Sequence, residues 1–243
     1  MTIEYVFTYG SLMEYASRTR SVPSALYVYP VEVKGMKRGW FEQNHESKSI
    51  EPTYLGAISV KDEKEICNGV IFAVDKDELK KLIDREKNYD LEDIDLDRIE
   101  FLDHRGGFTH KDVKIYFFKS RNPNPATPQF PIVQSYVDIC VSGCLQVEKN
   151  FAIPKEKSFV KKFFKTTVGW DGTWFNDRIY PWRPFIYVPN ATAIDEAIKE
   201  GLEGENYAIQ LPSFLPSNVQ IQITQGGEFG KQEFTIKLVG ENK

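Results

Sequence analysis

Ile3-Glu4-Tyr5-Val6-Phe7-Thr8-Tyr9-Gly10-Ser11-Leu12 decides the fold class. Residues 3–8 are β-branched and aromatic, the make-up of a buried strand, and Gly10 closes them where the chain must turn sharply. Such a turn exposes backbone N–H groups able to hold an anion or a carbonyl oxygen. Outward from this first strand, short strands are expected around Pro30, over 24–29 and 31–35, then over 52–60 and 68–74. The near-continuous apolar run Gly69-Val70-Ile71-Phe72-Ala73-Val74 implies burial on both faces. A helix follows, capped by Asp75 or Asp77, with Leu79, Leu82 and Ile83 on one face. It carries Asp84-Arg85-Glu86-Lys87-Asn88-Tyr89 near its C-terminal end, with Glu86 one turn before the end.

A β pattern returns at 98–102 and 112–118. The stretch 120–131, with Pro123, Pro125, Pro128 and Pro131, reads as a loop. Residues 135–148 fit both periods: Val137, Ile139 and Val141 alternate, while Val137, Cys140 and Cys144 recur at helical spacing. The helix is preferred. Further helices are expected over 159–164 and, behind Asn190, over 191–202, with an irregular aromatic stretch at 170–187 between them. Alternation at 219–223 and 234–238 about a Gln225-Gly226-Gly227 turn predicts a β-hairpin. The class is α+β.

The chain has 35 acidic against 31 basic residues and a net charge of -4, which argues against nucleic acid or an anionic membrane as partner. Three cysteines are too few for a disulfide framework and favour a reducing compartment. Met1-Thr2-Ile3-Glu4 opens no signal peptide, and no apolar run is long enough to span a bilayer, so a cytoplasmic location is expected. No phosphate loop, dinucleotide fingerprint, zincin helix or nucleophile elbow occurs. His104 and His110 lack further ligands beside them, and no metal is expected. Cys140 and Cys144 read as small buried apolar residues rather than a reactive pair. Without a signal peptide, the Asn190-Ala191-Thr192 sequon carries no meaning.

Taken in chain order, Tyr9-Gly10-Ser11-Leu12, Gly35-Met36-Lys37-Arg38-Gly39-Trp40, Pro52-Thr53-Tyr54-Leu55-Gly56 and the 69–74 run resemble the γ-glutamylcyclotransferase-like superfamily. So do Asp84-Arg85-Glu86-Lys87-Asn88-Tyr89 and the later Gln134-Ser135-Tyr136 segment, the flavour being that of the ChaC-type and bacterial members. The resemblance implies a small mixed β-barrel with surrounding helices over 1–150. Residues 151–243 are then a C-terminal extension packed on the same domain, with helices, an aromatic loop and the β-hairpin. It implies intramolecular aminolysis, in which the α-amine of a γ-glutamyl group attacks its own γ-carbonyl to give 5-oxoproline and a released amine.

Under that resemblance Glu86 is the acid/base, its proton affinity raised by partial burial. N–H groups around Gly10, Ser11 and Leu12 hold the oxyanion. Tyr9, Tyr89 and Tyr136 line the substrate, and Arg38 forks the α-carboxylate; Arg178, among the aromatic residues of 174–181, is the other candidate for that fork, its competing reading being a surface arginine. No cofactor is required, and the partner is a small γ-glutamyl molecule. Which one (glutathione, a γ-glutamyl amino acid or an amine) stays open, as does the oligomeric state. The competing reading is a ligand-binding or interaction module on the same fold, without turnover.

Overall fold

The computed structural model describes residues 2–45, 51–103, 106–108, 112–151, 153, 158–178, 181, 190–205, 207–210, 219–224 and 233–238. His104, His110 and the turn at 225–227 lie outside the described residues. The strands are β1 (Ile3–Thr8), β2 (Tyr29–Lys34), β3 (Met36–Gln43), β4 (Thr53–Ser59), β5 (Ile66–Val74), β6 (Tyr89–Asp93), β7 (Ile99–Phe101), β8 (Val113–Ser120), β9 (Ile132–Val133), β10 (Thr167–Val168), β11 (Trp174–Phe175), β12 (Ile209–Gln210), β13 (Val219–Thr224) and β14 (Glu233–Leu238). The helices are α1 (Tyr15–Ser21), α2 (Lys76–Arg85), α3 (Gln134–Asn150), α4 (Phe159–Lys165) and α5 (Ala191–Gly201).

The fold is α+β, with two six-stranded mixed sheets. One runs β6-β8-β1-β5-β2-β7 and the other β10-β3-β4-β9-β11-β12, while β13 and β14 pair with each other. β1 is central, parallel to β8 and antiparallel to β5, so Phe7 stands between Phe117 and Ile71. The expected small mixed β-barrel takes the form of two mixed sheets, and among the described residues no ladder joins their edges. β9, β10, β11 and β12 of the second sheet are two residues each.

Several local expectations shift. Residues 24–28 form no strand, and Pro30 lies within β2 rather than between two strands. It is tolerated there because pairing with β7 begins only at Val31, so its missing N–H has no β7 partner to lose. β3 covers the segment read above only as a motif. α2 forms as expected, with a reciprocal capping box between Asp75 and Glu78, but Ile83 is exposed and the helix stops at Arg85. Glu86 is therefore the residue after the helix, and Tyr89 opens β6 instead of continuing a helical face.

α3 is buried on almost every side, which is why its sequence shows no clean stripe. Its Cys140 and Cys144 are fully buried, as the apolar reading requires. Residues past 150 join the same core: Phe159, Phe163, Trp174 and Ile194 are buried with Phe7, Trp40 and Val137. Among the described residues no helix is long and apolar enough to cross a membrane.

Candidate active site

Beyond the C-terminal end of β1 lies a cleft lined by Tyr9, Gly10, Ser11, Leu12, Glu86, Tyr89 and Tyr136, with Phe7, Leu55 and Phe118 on its apolar walls. It measures about 40 Å³, room for roughly three waters. Of the sequence-predicted site residues, these seven meet here.

The turn is built in layers. Ser11–Met13 forms one 3₁₀ turn, closed by Met13 N–H donating to Gly10 O at 3.0 Å, and the first N–H groups of such a turn have no partner within it. The buried Arg18 of α1 fastens it from behind, donating to the carbonyls of Leu12 (3.3 Å), Met13 (2.9 Å) and Ala25 (2.9 Å). From the other side α3 approaches so closely that a Cβ on Gly143 would stand 2.6 Å from Glu14 N. Gly10 itself has φ -136°, so the positive φ that a glycine turn permits is not what it supplies. It supplies space: a Cβ there would lie 3.0 Å from the hydroxyl of Tyr136.

Glu86 reaches the cleft because α2 ends. Its N–H still donates to Leu82 O at 2.8 Å, its own φ and ψ are -98° and 41°, and Tyr89 N–H donates back to its carbonyl at 2.9 Å. The carboxylate sits at the rim, 22% exposed, with Oε1 3.1 Å from Arg85 Nε. Three phenols face it. Tyr9 donates to Phe118 O and Tyr89 to Leu55 O at 3.0 Å, while the ring of Tyr136 packs on Tyr54 (4.7 Å) and Trp40 (6.0 Å). Burial pushes the Tyr9 and Tyr89 phenols well above their ordinary range, and the neighbouring phenols and the charges of Glu86 and Glu42 add to the rise. Both are neutral hydroxyls at any working pH.

Arg38 is not in the cleft, and this corrects the expectation that it forks a substrate carboxylate. It is fully buried behind the turn. Nε donates to Thr167 Oγ1 (2.7 Å), one terminal nitrogen to Asn68 O (2.7 Å) and Tyr9 O (3.3 Å), and the other to Asn68 Oδ1 (2.9 Å), Phe163 O (2.9 Å) and Thr166 Oγ1 (3.0 Å). Every donor of the guanidinium is engaged, leaving no fork for a ligand. Arg178 is likewise occupied, paired through two nitrogens with the fully buried Asp138 (2.7 Å each) and with the half-exposed Asp195.

The sequence reading missed Glu42. Between β3 and β4 the register shifts, Trp40 opposing Leu55 but Glu42 opposing Tyr54, so Phe41 is an extra residue. A bulge of this kind re-aims side chains, and Glu42 ends up 7% exposed beside a second hollow of about 670 Å³. No pattern in the linear sequence marks such a residue. Among the described residues no group of three or more His, Cys, Asp or Glu is placed to hold a metal ion.

No family model and no curated protein matches the chain. Solved structures do. A γ-glutamyl cyclotransferase aligns over 81% of this chain and 98% of its own, at 16% identity and a TM-score of 0.46. A human protein described as uncharacterized aligns over 67% and 87%, at 16% identity and 0.45. A yeast γ-glutamyl cyclotransferase specific to glutathione aligns over 68% and 96%, at 12% identity and 0.40. At these values the likeness concerns the path of the backbone and says nothing of the reaction.

Proposed function

We propose that the protein is a γ-glutamylcyclotransferase that releases 5-oxoproline from a γ-glutamyl compound. One observation carries the reading: the Tyr9-Gly10-Ser11-Leu12 turn and Glu86, far apart in the chain, line one cleft together with Tyr89 and Tyr136. The attacking α-amine is an ammonium at neutral pH and must lose a proton, and the carboxylate of Glu86 at the rim is the group to take it. As the amine adds to the γ-carbonyl, charge gathers on oxygen. N–H groups at the start of the Ser11–Met13 turn are fixed donors for that charge, held in place by Arg18 and α3.

The neutral phenols of Tyr9 and Tyr89 keep the pocket polar without adding a charge that would compete with Glu86. Because nucleophile and electrophile belong to one molecule, holding the γ-glutamyl chain folded supplies proximity without a second reactant. The test is direct. Purified protein is incubated with glutathione, γ-glutamyl dipeptides and γ-glutamyl amines, and 5-oxoproline is measured. Product from at least one donor is expected, and product from none overturns the reading.

A further inference from the structure

Glu42 has no part in that scheme, yet its position is costly. Its Oε2 is buried without a hydrogen-bond partner among the described residues. Such groups are kept inside proteins mainly at strained or functional places. Glu42 lines the larger polar hollow with Gln43, His45, Asn88, Arg121 and Asn124. The turn that brings Glu86 and Tyr89 to the cleft also brings Asn88 to the hollow. The hollow, at about 670 Å³ against about 40 Å³, is the roomier of the two.

The groups that face Glu42 come from four directions. Arg121, just past β8, is held by Asp90 (2.9 Å) and by the carbonyls of Lys87 and Tyr89. Glu86 lies beyond α2, the Tyr9 and Tyr89 phenols sense the Glu42 charge from the cleft, and His45 stands at the hollow, its ring 4.7 Å from that of Phe130. Burial pushes the Glu42 carboxyl up to about 7. The Ser120 hydroxyl, close by but not in hydrogen-bonding geometry, and the charge of Arg121 pull it down, and the charge of Glu86 adds to the rise. Near neutral pH a large share of the molecules carry a proton there.

We propose that Glu42 is a second proton-transferring group of the site: it gives its proton to the departing nitrogen, seated in the hollow, while Glu86 serves the attacking one. The proposal rests on the cyclotransferase reading. The attacking nitrogen, an ammonium at the start, gives up two protons in turn, each by way of Glu86 to water. Its lone pair forms the new N–C bond as the carbonyl π pair moves to oxygen. When that pair returns, the old C–N bond breaks and its electrons stay on the departing nitrogen, which takes the proton of Glu42. Glu42 recovers a proton from water and the released amine takes up the other, so none is gained or lost.

The experiment compares two leaving groups in wild type, Glu42→Gln and Glu42→Asp. γ-Glutamylalanine releases a basic amine that must be protonated, whereas γ-glutamyl-p-nitroanilide releases a far less basic aniline whose departure depends much less on an acid. Glu42→Gln should lower kcat for the alanine compound by about 100-fold or more and for the anilide by no more than about threefold. It should also abolish the alkaline fall of the wild-type kcat profile, and Glu42→Asp should restore part of both. Equal slowing of both compounds, or slowing of neither, overturns the proposal while leaving the cyclotransferase reading intact. If wild type turns over no γ-glutamyl donor, both fall together.

Discussion

A Cβ added to Gly10 would stand 3.0 Å from the hydroxyl oxygen of Tyr136, tighter than ordinary van der Waals contact. This pairing ties the turn after β1 to the first turn of α3. It makes the shape of the cleft depend on a residue with no side chain.

Gly10→Ala must push the Tyr136 hydroxyl back, and the ring has little freedom between Tyr54 and Trp40. A loss of stability of about 1–3 kcal/mol is expected, the range for overpacking a filled core. 5-Oxoproline release should fall by roughly 10²-fold, the penalty for a misplacement near 1 Å. Denaturant titration and an initial-rate assay on the same preparation check both, and an equally stable, fully active variant would show the contact to be slack.

Glu86→Gln keeps the size and hydrogen bonding of the side chain and removes the proton carrier. Turnover should fall by about 10²–10⁴-fold while binding of a γ-glutamyl compound, followed by calorimetry, survives. Turnover within a few-fold of wild type would assign the base to another group.

How much of this was legible beforehand depends on where the determining contacts lie. The first strand and its turn are written locally, in five β-branched and aromatic residues and one glycine, and they form where expected. α2 carries its own capping box, so its start is local too, whereas its end is one turn short of the expected one. β3 is hidden because Lys37-Arg38-Gly39 shows no alternation. Arg38 belongs inside only because Tyr9, Asn68, Phe163 and Thr167, up to 129 residues away, surround it. Glu42 is hidden for the same reason, its burial being created by one extra residue in a ladder. Glu86 was found by resemblance, and what places it in the cleft is the end of a helix rather than the helix face.

Arg38→Met removes the donors but keeps most of the volume, and in the core it takes the charged donors from Asn68 O and Asn68 Oδ1, while Phe163 O keeps the Thr167 hydroxyl. The expected cost is about 3 kcal/mol or more, given charge-assisted bonds worth roughly 1.5–3 each. KM for a γ-glutamyl donor should be unchanged in the folded fraction. A large rise in KM at intact stability would return Arg38 to the substrate.

Arg178 and Asp195 separate buried from exposed pairing. Arg178→Met strands the carboxylate of Asp138, fully buried and otherwise bonded by Gln134 at 2.8 Å, and should cost about 3–5 kcal/mol. Asp195→Asn touches the same guanidinium from a side chain that is 54% exposed and should cost no more than about 1 kcal/mol. Urea midpoints of the two variants measure the contrast, and similar losses would mean that Asp138 is not charged in the fold.

The pH dependence of stability tests Glu42 without any substrate. Its carboxyl is raised from 4.5 to about 7 in the folded protein, chiefly by burial, so the native state holds a proton that the unfolded chain has already released. Below about 4.5 both states are protonated and the group is neutral to stability. Between about 4.5 and 7 the folded state binds more protons, so stability falls as pH rises, and above 7 the full penalty stands. It reaches at most about 3 kcal/mol, the free-energy equivalent of the shift. Glu42→Gln removes the titration, so its unfolding free energy should exceed that of wild type by an amount that grows from pH 4.5 to 7 and is then constant. Chemical unfolding at half-unit pH steps gives this difference curve. A difference that stays flat across the window would mean that Glu42 titrates in the fold as it does in the unfolded chain, and would remove the proton that the leaving-group role requires.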